Sequence, residues 1–215
     1  MKTSAIILSY KDNFKIIKIT LDAVRKCGVD EIIFINNGAS SDLIMSLKDV
    51  RTFVTKNNLG SSGGYKLGLQ KATMDYFWLL DADNVPEPDA LDILKREYNG
   101  GAICSYRERY GAIANLNSYD LKPIIGWNSV LGFNFLWFWR RNKIFNKKEP
   151  MKLAVSKIPV AAYGGMFFNR ALIHNIGYPD KKLFLYCDDY AWSRRIVDNG
   201  MDLLLARDSI IKDSK

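Results

Sequence analysis

Three stretches carry residues whose types and spacing could do chemistry. In the first, Phe77 to Asn84 reads Phe-Trp-Leu-Leu-Asp-Ala-Asp-Asn, an apolar run that gives way abruptly to Asp81, Ala82 and Asp83. Such a run predicts a buried strand over Tyr76 to Leu80 that delivers two carboxylates to a sheet edge. Carboxylates one residue apart on a turn can share a hard divalent cation, whose oxygen ligands are often completed by substrate phosphates. The same residues suit an ordinary Asp-Asn turn closed by Pro86 and Pro88, and at this level both readings stand. The second stretch is Asp188-Asp189, which follows a strand-like segment from Leu183 to Tyr186 and opens a predicted helix over Asp188 to Asp198, with Trp192, Ile196 and Arg195 facing inward. Aspartates favour helix starts for capping and dipole reasons, so two in a row leave one over for chemistry and prove no more.

The third stretch, Asn57-Asn58-Leu59-Gly60-Ser61-Ser62-Gly63-Gly64, leads into a helix predicted over Tyr65 to Lys71. Glycines let backbone amides approach a ligand closely, and a helix start favours phosphate. The spacing matches neither a Walker A loop nor a dinucleotide fingerprint, and a loop that simply caps a helix is the alternative. The single histidine, His174, lies in a helical stretch from Arg170 to Ile176 and reads as a surface or boundary residue. That weighs against a catalytic triad or a histidine-based metal site.

The elements that must position these groups alternate. Strands are expected at Ala5–Leu8, Glu31–Ile35, Thr52–Lys56 and Ala102–Ser105. Helices are expected at Asn13–Lys26, with Phe14, Ile17, Leu21 and Val24 on one face and Gly28 at its end, and at Pro88–Tyr98. Asn36-Asn37-Gly38 breaks the second strand, and Ser41-Asp42 can begin a short helix. Alternation of this kind predicts an α/β fold, a mostly parallel central sheet with helices on both faces that binds ligands beyond the carboxyl ends of its strands. Ser9-Tyr10, Asn36-Asn37, Asn57-Asn58 and Asp81 to Asp83 all fall at such ends.

Regularity fades from Arg107 to Pro159, where substrate-specific structure is expected. Within it, Ile124 to Trp139 concentrates Trp127, Phe133, Phe135, Trp137, Phe138 and Trp139, with Arg140, Arg141, Lys143, Lys147 and Lys148 after them. As helix, those roughly 16 residues would span only about 24 Å, short of a bilayer core. Segment 124–148 is therefore read either as a peripheral contact with anionic membrane or as a buried aromatic cluster with a solvated basic flank.

Composition sets the bounds. The 215 residues contain no linker-like division, so one domain is expected, and 48% hydrophobic with 25% charged residues is ordinary for a globular chain. The net charge of +8 favours a polyanionic partner. Cys27, Cys104 and Cys187 are far apart and suit a reducing compartment. The apolar run near the amino terminus is too short for a signal peptide, which predicts a cytoplasmic protein.

Together these residues resemble the family 2 inverting glycosyltransferases of the GT-A fold, a Rossmann-like α/β architecture, and in particular their rhamnosyltransferase-like and galactofuranosyltransferase-like branch. The resemblance rests on Ser9-Tyr10, Asn36-Asn37-Gly38 with Ser41-Asp42, Asn58-Leu59-Gly60 with Gly63-Gly64, Asp81-Ala82-Asp83, Gly164-Gly165, and Asp188-Asp189 followed by Trp192 and Arg195. It implies a single domain over 1–215, with 1–105 binding a nucleoside-diphosphate sugar and 106–215 supplying acceptor contacts and the catalytic base. Donor contacts would come from Ser9, Tyr10, Asn36, Asn37, Asn58, Gly60, Gly63, Gly64, Asp81, Ala82 and Asp83. Asp83 would ligate Mn²⁺ or Mg²⁺ with Asp81 in support, Asp189 would be the general base tuned by Asp188, and Gly164, Gly165 and Trp192 would meet the acceptor.

The chain departs from the family pattern at Asn36 and Asn84, where relatives often carry aspartate, and it lacks a histidine after the last strand. It also ends early for the family, at Lys215, which makes truncation an alternative. The resulting expectation is a UDP- or dTDP-sugar transferase acting on a glycan or polyprenyl-linked acceptor at the inner face of the cell membrane. The competing expectations are a nucleotidyltransferase or a nucleotide-sugar-binding scaffold without turnover. A nucleic-acid module is not expected, because the basic residues are scattered and no RNA-binding signature accompanies them.

Overall fold

The computed structural model describes residues 1–10, 13–38, 49–107, 129–130, 133–134, 154–185 and 187–214. Its strands, numbered in chain order, begin with β1 (Thr3–Ser9), β2 (Glu31–Asn37), β3 (Arg51–Thr55), β4 (Tyr76–Asp81), β5 (Asn84–Pro86) and β6 (Ala102–Arg107). They continue with β7 (Ser129–Val130), β8 (Phe133–Asn134), β9 (Val155–Lys157), β10 (Met166–Asn169) and β11 (Leu203–Asp213). The helices are α1 (Phe14–Lys26), α2 (Gly60–Lys71), α3 (Ala90–Glu97), α4 (Ala171–Ile176) and α5 (Asp188–Asp198).

Among the described residues, nine strands form one sheet in the order β3-β2-β1-β4-β10-β6-β11-β5, with β9 added on β11, while β7 and β8 pair only with each other. β1, β2, β3 and β4 are mutually parallel, and β6 is parallel to β11. β10 lies antiparallel between β4 and β6, so β6 and β11 again point the same way as β4. Only β5, β9 and β10 run against the rest, and the expected α/β, mostly parallel sheet is what forms.

Continuous apolar runs in β1, β2 and β4 reflect burial on both faces, as parallel strands require. Alternate residues divide between two cores. Ala5, Ile7, Trp78 and Leu80 pack with Ile17, Leu21 and Val24 of α1 and Leu91 and Leu94 of α3. Ile6, Ile33, Phe77 and Leu79 pack on the opposite face with Tyr65 and Leu69 of α2, Leu172 of α4 and Trp192 and Ile196 of α5. α1 begins as its sequence predicts, with Asn13 Oδ1 accepting from the Lys15 N–H at 2.9 Å, and ends on Arg25 and Lys26, which suit the negative end of the helix dipole.

Several boundaries differ from expectation, each for a local reason. α2 begins at Gly60, ahead of the expected Tyr65, so most of the glycine-rich stretch is helix and not a loop. Glycine is a poor helix former, but here the helix lies too close to β1 for side chains. A Cβ on Gly64 would fall 2.4 Å from Leu8 Cδ1, and one on Gly68 would fall 2.3 Å from Ile6 Cγ2. The Leu183 to Tyr186 segment is not a strand where described: Lys181–Leu183 is a turn of 3-10 helix, the Leu185 N–H donates to Leu183 O at 2.6 Å, and Phe184 has φ +53°. That backbone is incompatible with an extended chain, and it leaves Leu183, Phe184 and Leu185 exposed.

The region read as irregular contains β9, which pairs with Leu204 to Ala206 of β11. Asn84–Pro86, read as the close of a turn, is a short strand on the far end of β11. His174 is exposed, as expected. Ser41, Asp42 and most of segment 124–148 lie outside the described residues.

The contact of Gly68 with Ile6 predicts the outcome of Gly68→Ala. A gain of about 1 kcal/mol in helix propensity is opposed by roughly 1–3 kcal/mol of overpacking, because Ile6 is held in a fully buried strand. Urea denaturation should show a net loss of up to about 2 kcal/mol; a more stable variant would mean that α2 can lift from β1 freely.

Candidate functional site

The carboxyl ends of β4, β6 and β11 meet, and their last residues form an ion-pair network. Arg107, 3% exposed at the end of β6, donates from Nη1 to Asp81 Oδ2 at 3.2 Å and from Nη2 to Asp213 Oδ1 at 2.5 Å. The other oxygen of Asp81 accepts from Tyr65 Oη at 2.7 Å. Asn84 completes the turn: its Oδ1 accepts from the Asp81 N–H at 3.0 Å, and its Nδ2 donates to Asp83 Oδ1 at 3.1 Å and Asp213 Oδ1 at 3.3 Å. Gly164 lies against this network, where a Cβ would come within 2.4 to 2.7 Å of Arg107 Nη1, Asn84 Oδ1 and Asp81 Oδ2. No larger residue fits there without opening the cluster.

Electrostatics separates the carboxylates. Burial pushes the Asp83 pKa up, the charges of Asp81 and Asp213 push it the same way, and Arg107 offsets part of this. Asp189 is shifted further. Burial first, and then the neighbouring charges of Asp188 and Asp81, raise it from 3.8 to about 6, against a backbone hydrogen bond from Tyr190 at 2.8 Å. Asp188, at the first position of α5, is 4% exposed and accepts a 2.6 Å hydrogen bond from Ser61 Oγ. Tyr163 stands beside both α5 carboxylates; burial and then their charges raise its phenol above its ordinary range. Its ring centroid is 4.6 Å from that of Tyr65, so a tyrosine pair bridges the two acidic groups.

Of the residues the sequence singled out, Asp81, Asp83, Gly164, Asp188 and Asp189 are brought together. Ser9 and Asn36 are buried at adjacent strand ends, and Asn36 Nδ2 makes no hydrogen bond; Tyr10 is exposed. Asn37 and Asn58 are spent on the turn before α2. Asn37 Nδ2 donates to Asn58 Oδ1 at 3.0 Å and to Gly60 O at 2.9 Å, while Asn37 Oδ1 accepts from the Leu59 N–H at 2.8 Å. Gly63 packs on Leu59 and Gly64 on Leu8. Ala82 is buried in the α1 core, and its carbonyl accepts from Thr20 Oγ1 at 2.8 Å. Gly165 anchors β4 through its N–H to Leu79 O at 2.7 Å.

Trp192 corrects an expectation. It is 1% exposed, donates from Nε1 to Gly177 O at 2.9 Å and belongs to the core, so it offers no surface to an acceptor. Arg195 reaches the Ile176 and Tyr178 carbonyls at 3.3 and 3.2 Å. Sequence reasoning passed over Arg107, Tyr65, Ser61 and Asp213 as site residues, because each becomes one only through partners 16 to 127 positions away.

The acidic end of the sheet fits a divalent cation that a ligand helps to bind. A carboxylate held above its ordinary range among other carboxylates gains most from a cation, and Asp83 is that group. Among the described residues no three His, Cys, Asp or Glu side chains form a cage by themselves, and a hard cation held by one or two carboxylates commonly completes its shell with water and substrate phosphate.

A parallel sheet with carboxylates at its carboxyl edge, and antiparallel β10 between β4 and β6, defines an α/β protein of the GT-A class. The Glycosyl transferase family 2 model matches residues 4–177, and the chain belongs to that family. No curated protein sequence matches it. Among solved structures it is similar to GalNAc-T7, crystallised with UDP, GalNAc and Mn²⁺, with a TM-score of 0.70 at 15% identity over 100% of this chain and 44% of that one. It is also similar to S. aureus TarS, with a TM-score of 0.64 at 12% identity. There it covers 60% of the 1–349 fragment and 37% of a second, longer TarS structure. The chain thus spans less than two thirds of each of these relatives, and at such identities the likeness establishes the fold.

Removing Arg107 tests the network directly. Arg107→Leu leaves Asp81 and Asp213 facing each other uncompensated, and should cost about 2–4 kcal/mol at pH 7, with the two carboxylates' partial exposure discounted. Arg107→Lys, which keeps the charge without the two-pronged fork, should recover only part of the loss. A loss equally large in Arg107→Lys would mean that the charge contributes nothing.

Proposed function

We propose that the chain is an inverting, metal-dependent glycosyltransferase that moves a sugar from a nucleoside-diphosphate donor to an acceptor hydroxyl. The observation that supports this most is that one helix, α2, bonds both acidic groups: Tyr65 donates to Asp81, and Ser61 donates to Asp188, the neighbour of Asp189. A base and a cation-seeking carboxylate group therefore share one site. At neutral pH Asp189 is mostly ionised yet more basic than an exposed carboxylate, which suits a general base. It takes the acceptor proton as the hydroxyl oxygen attacks the anomeric carbon, and the bond to the diphosphate oxygen breaks on the opposite side. Asp83, with Asp81 behind it, would hold Mn²⁺ or Mg²⁺, which supplies positive charge to the departing diphosphate. The cation in the GalNAc-T7 structure is Mn²⁺.

The donor lies across the strand ends of the first half. Asn36, whose buried Nδ2 makes no hydrogen bond, offers a donor to a nucleobase carbonyl such as those of uracil or thymine. Ser9, Tyr10 and the start of α2 would contact the donor, and Asn37, Asn58, Gly60, Gly63 and Gly64 would shape its seat. Gly164 lets Arg107, Asn84 and Asp81 close up against its backbone, where a Cβ would clash. One domain contains both halves. The branch we favour is the rhamnosyltransferase-like and galactofuranosyltransferase-like one, and the acceptor is a glycan or polyprenyl-linked glycan at the inner face of a cell membrane. Segment 124–148 would supply peripheral contact with anionic lipid. No helix among the described residues is long and apolar enough to cross a membrane.

Two measurements test this. Calorimetric titration of UDP, dTDP, GDP and CDP, with and without Mn²⁺, should show one metal-dependent nucleotide, lost in Asp83→Ala. Binding that ignores both the metal and the variant would remove the donor site as drawn. Asp189→Asn should lower kcat by about 10²–10⁴-fold, and wild-type activity should fall below an acid limb near pH 6.

Stability moves the other way. A carboxyl whose folded pKa is raised binds protons more tightly in the native state, so it costs stability as pH rises through about 4 to 6 and costs most above that. Asp189→Asn should therefore melt higher than wild type at pH 7 to 8, with the advantage vanishing near pH 4. An unchanged melting temperature would mean that Asp189 is solvated and too weak a base for the role.

A further inference from the structure

We propose that Ser61 is the positioning residue of the base pair: its hydroxyl, in the first turn of α2, holds the Asp188 carboxylate and so fixes the start of α5 and with it Asp189. This rests on the assignment of Asp189 as the base. Ser61 Oγ has one proton and two acceptors in view, Asp188 Oδ2 at 2.6 Å and the Phe184 carbonyl at 3.4 Å. Distance and charge give the proton to the carboxylate. Asp188 is 4% exposed, so this bond replaces solvation that water cannot supply.

The geometry on both sides makes Ser61 rigid and the recipient dependent on it. The first turn of α2 is pinned by Asn37 Nδ2 on Gly60 O and by its seat on β1. Gly60, at φ +71°, touches the other segment backbone to backbone: a Cβ there would lie 1.9 Å from Phe184 O. The receiving segment is under strain. Phe184 and Cys187 both take positive φ, at +53° and +61°, a conformation that non-glycine residues rarely adopt and that persists only where the surroundings enforce it. Cys187 is the N-cap of α5 yet makes no side-chain capping bond. The hydroxyl of Ser61 supplies a tether that the helix does not give itself.

Among the described residues, three groups besides Ser61 act on the pair or its neighbour. Tyr163 stands beside both carboxylates, Asp81 faces Asp189, and Arg195 acts on Tyr163 from within α5. Asp188 held in place keeps its charge beside Asp189. A released Asp188 would turn toward water and take that charge away.

The test compares Ser61→Ala and Ser61→Thr with wild type in the full chain. Amide hydrogen exchange without ligand should speed up about tenfold over 187–191 in the alanine variant and stay near wild type in the threonine variant. Calorimetry should give a UDP affinity in Mn²⁺ within about twofold of wild type for both. With a UDP-sugar substrate, kcat should fall about 10–100-fold in the alanine variant, since small misplacement of a catalytic group costs that much, and threonine should restore most of it. The acid limb should move to lower pH in the alanine variant, because Asp189 loses a neighbouring charge.

Unchanged exchange in Ser61→Ala would overturn the proposal. So would weaker UDP binding with kcat intact, which would make Ser61 a donor contact. If wild type turned over no sugar nucleotide, the transferase reading would fail, and the exchange result alone would then decide whether the tether exists.

Discussion

The arrangement depends on one buried cation. Asp81, Asp83 and Asp213 end up at one edge of the sheet because β4 and β11 run the same way, and like charges this close to the protein interior would force the edge apart or protonate. Arg107 prevents both. Its guanidinium bonds the carboxylates on either side, at the end of the strand that lies next to β11 and one strand removed from β4. The planar fork of arginine suits this two-carboxylate task in a way that the single ammonium of lysine would not. Compensation is incomplete: among the described residues three carboxylates gather around one guanidinium, and Asp83 keeps a raised pKa, first through burial and then through the charges of Asp81 and Asp213.

Through α2 the same edge is joined to the acidic start of α5. Tyr65 bonds Asp81 and Ser61 bonds Asp188, one turn apart on a single helix, and the ring of Tyr163 packs between the two groups. The glycines of α2 now have a physical purpose. They let the helix settle on Ile6 and Leu8 and let its first turn touch the Phe184 carbonyl, which brings both carboxylate pairs within reach of one helix. Four glycines look like a loop when counted along the chain; in space they are the contact surface of a helix.

The family match covers residues 4–177 and so contains Asp81 and Asp83 but stops before Asp188 and Asp189. The place of the second pair in the site therefore rests on geometry: the Ser61 bond, the burial of Asp188 and the influence of Asp81 on Asp189. Exposed Leu183, Phe184 and Leu185 come shortly before that pair in the chain.

Local chemistry in the sequence was enough to determine the alternation of strands and helices, the carboxylates at the end of β4, the Asn13 cap and the apolar face of α1. Each follows from residues within one element, whose period or capping bond is set by neighbours a few positions away. Tertiary structure decided the rest, because the deciding partner was remote. The family resemblance set Trp192 against an acceptor, although its helical placement already turned it inward, where Gly177 and the core hold it, and Leu183 to Leu185 looked extended until the turn at Phe184 reversed them. Arg107, Asp213 and Ser61 looked like ordinary residues of a strand, a tail and a loop. What they do depends on side chains from other strands and helices, and only the folded sheet, by bringing strand ends together, gives a lone arginine or serine its carboxylate.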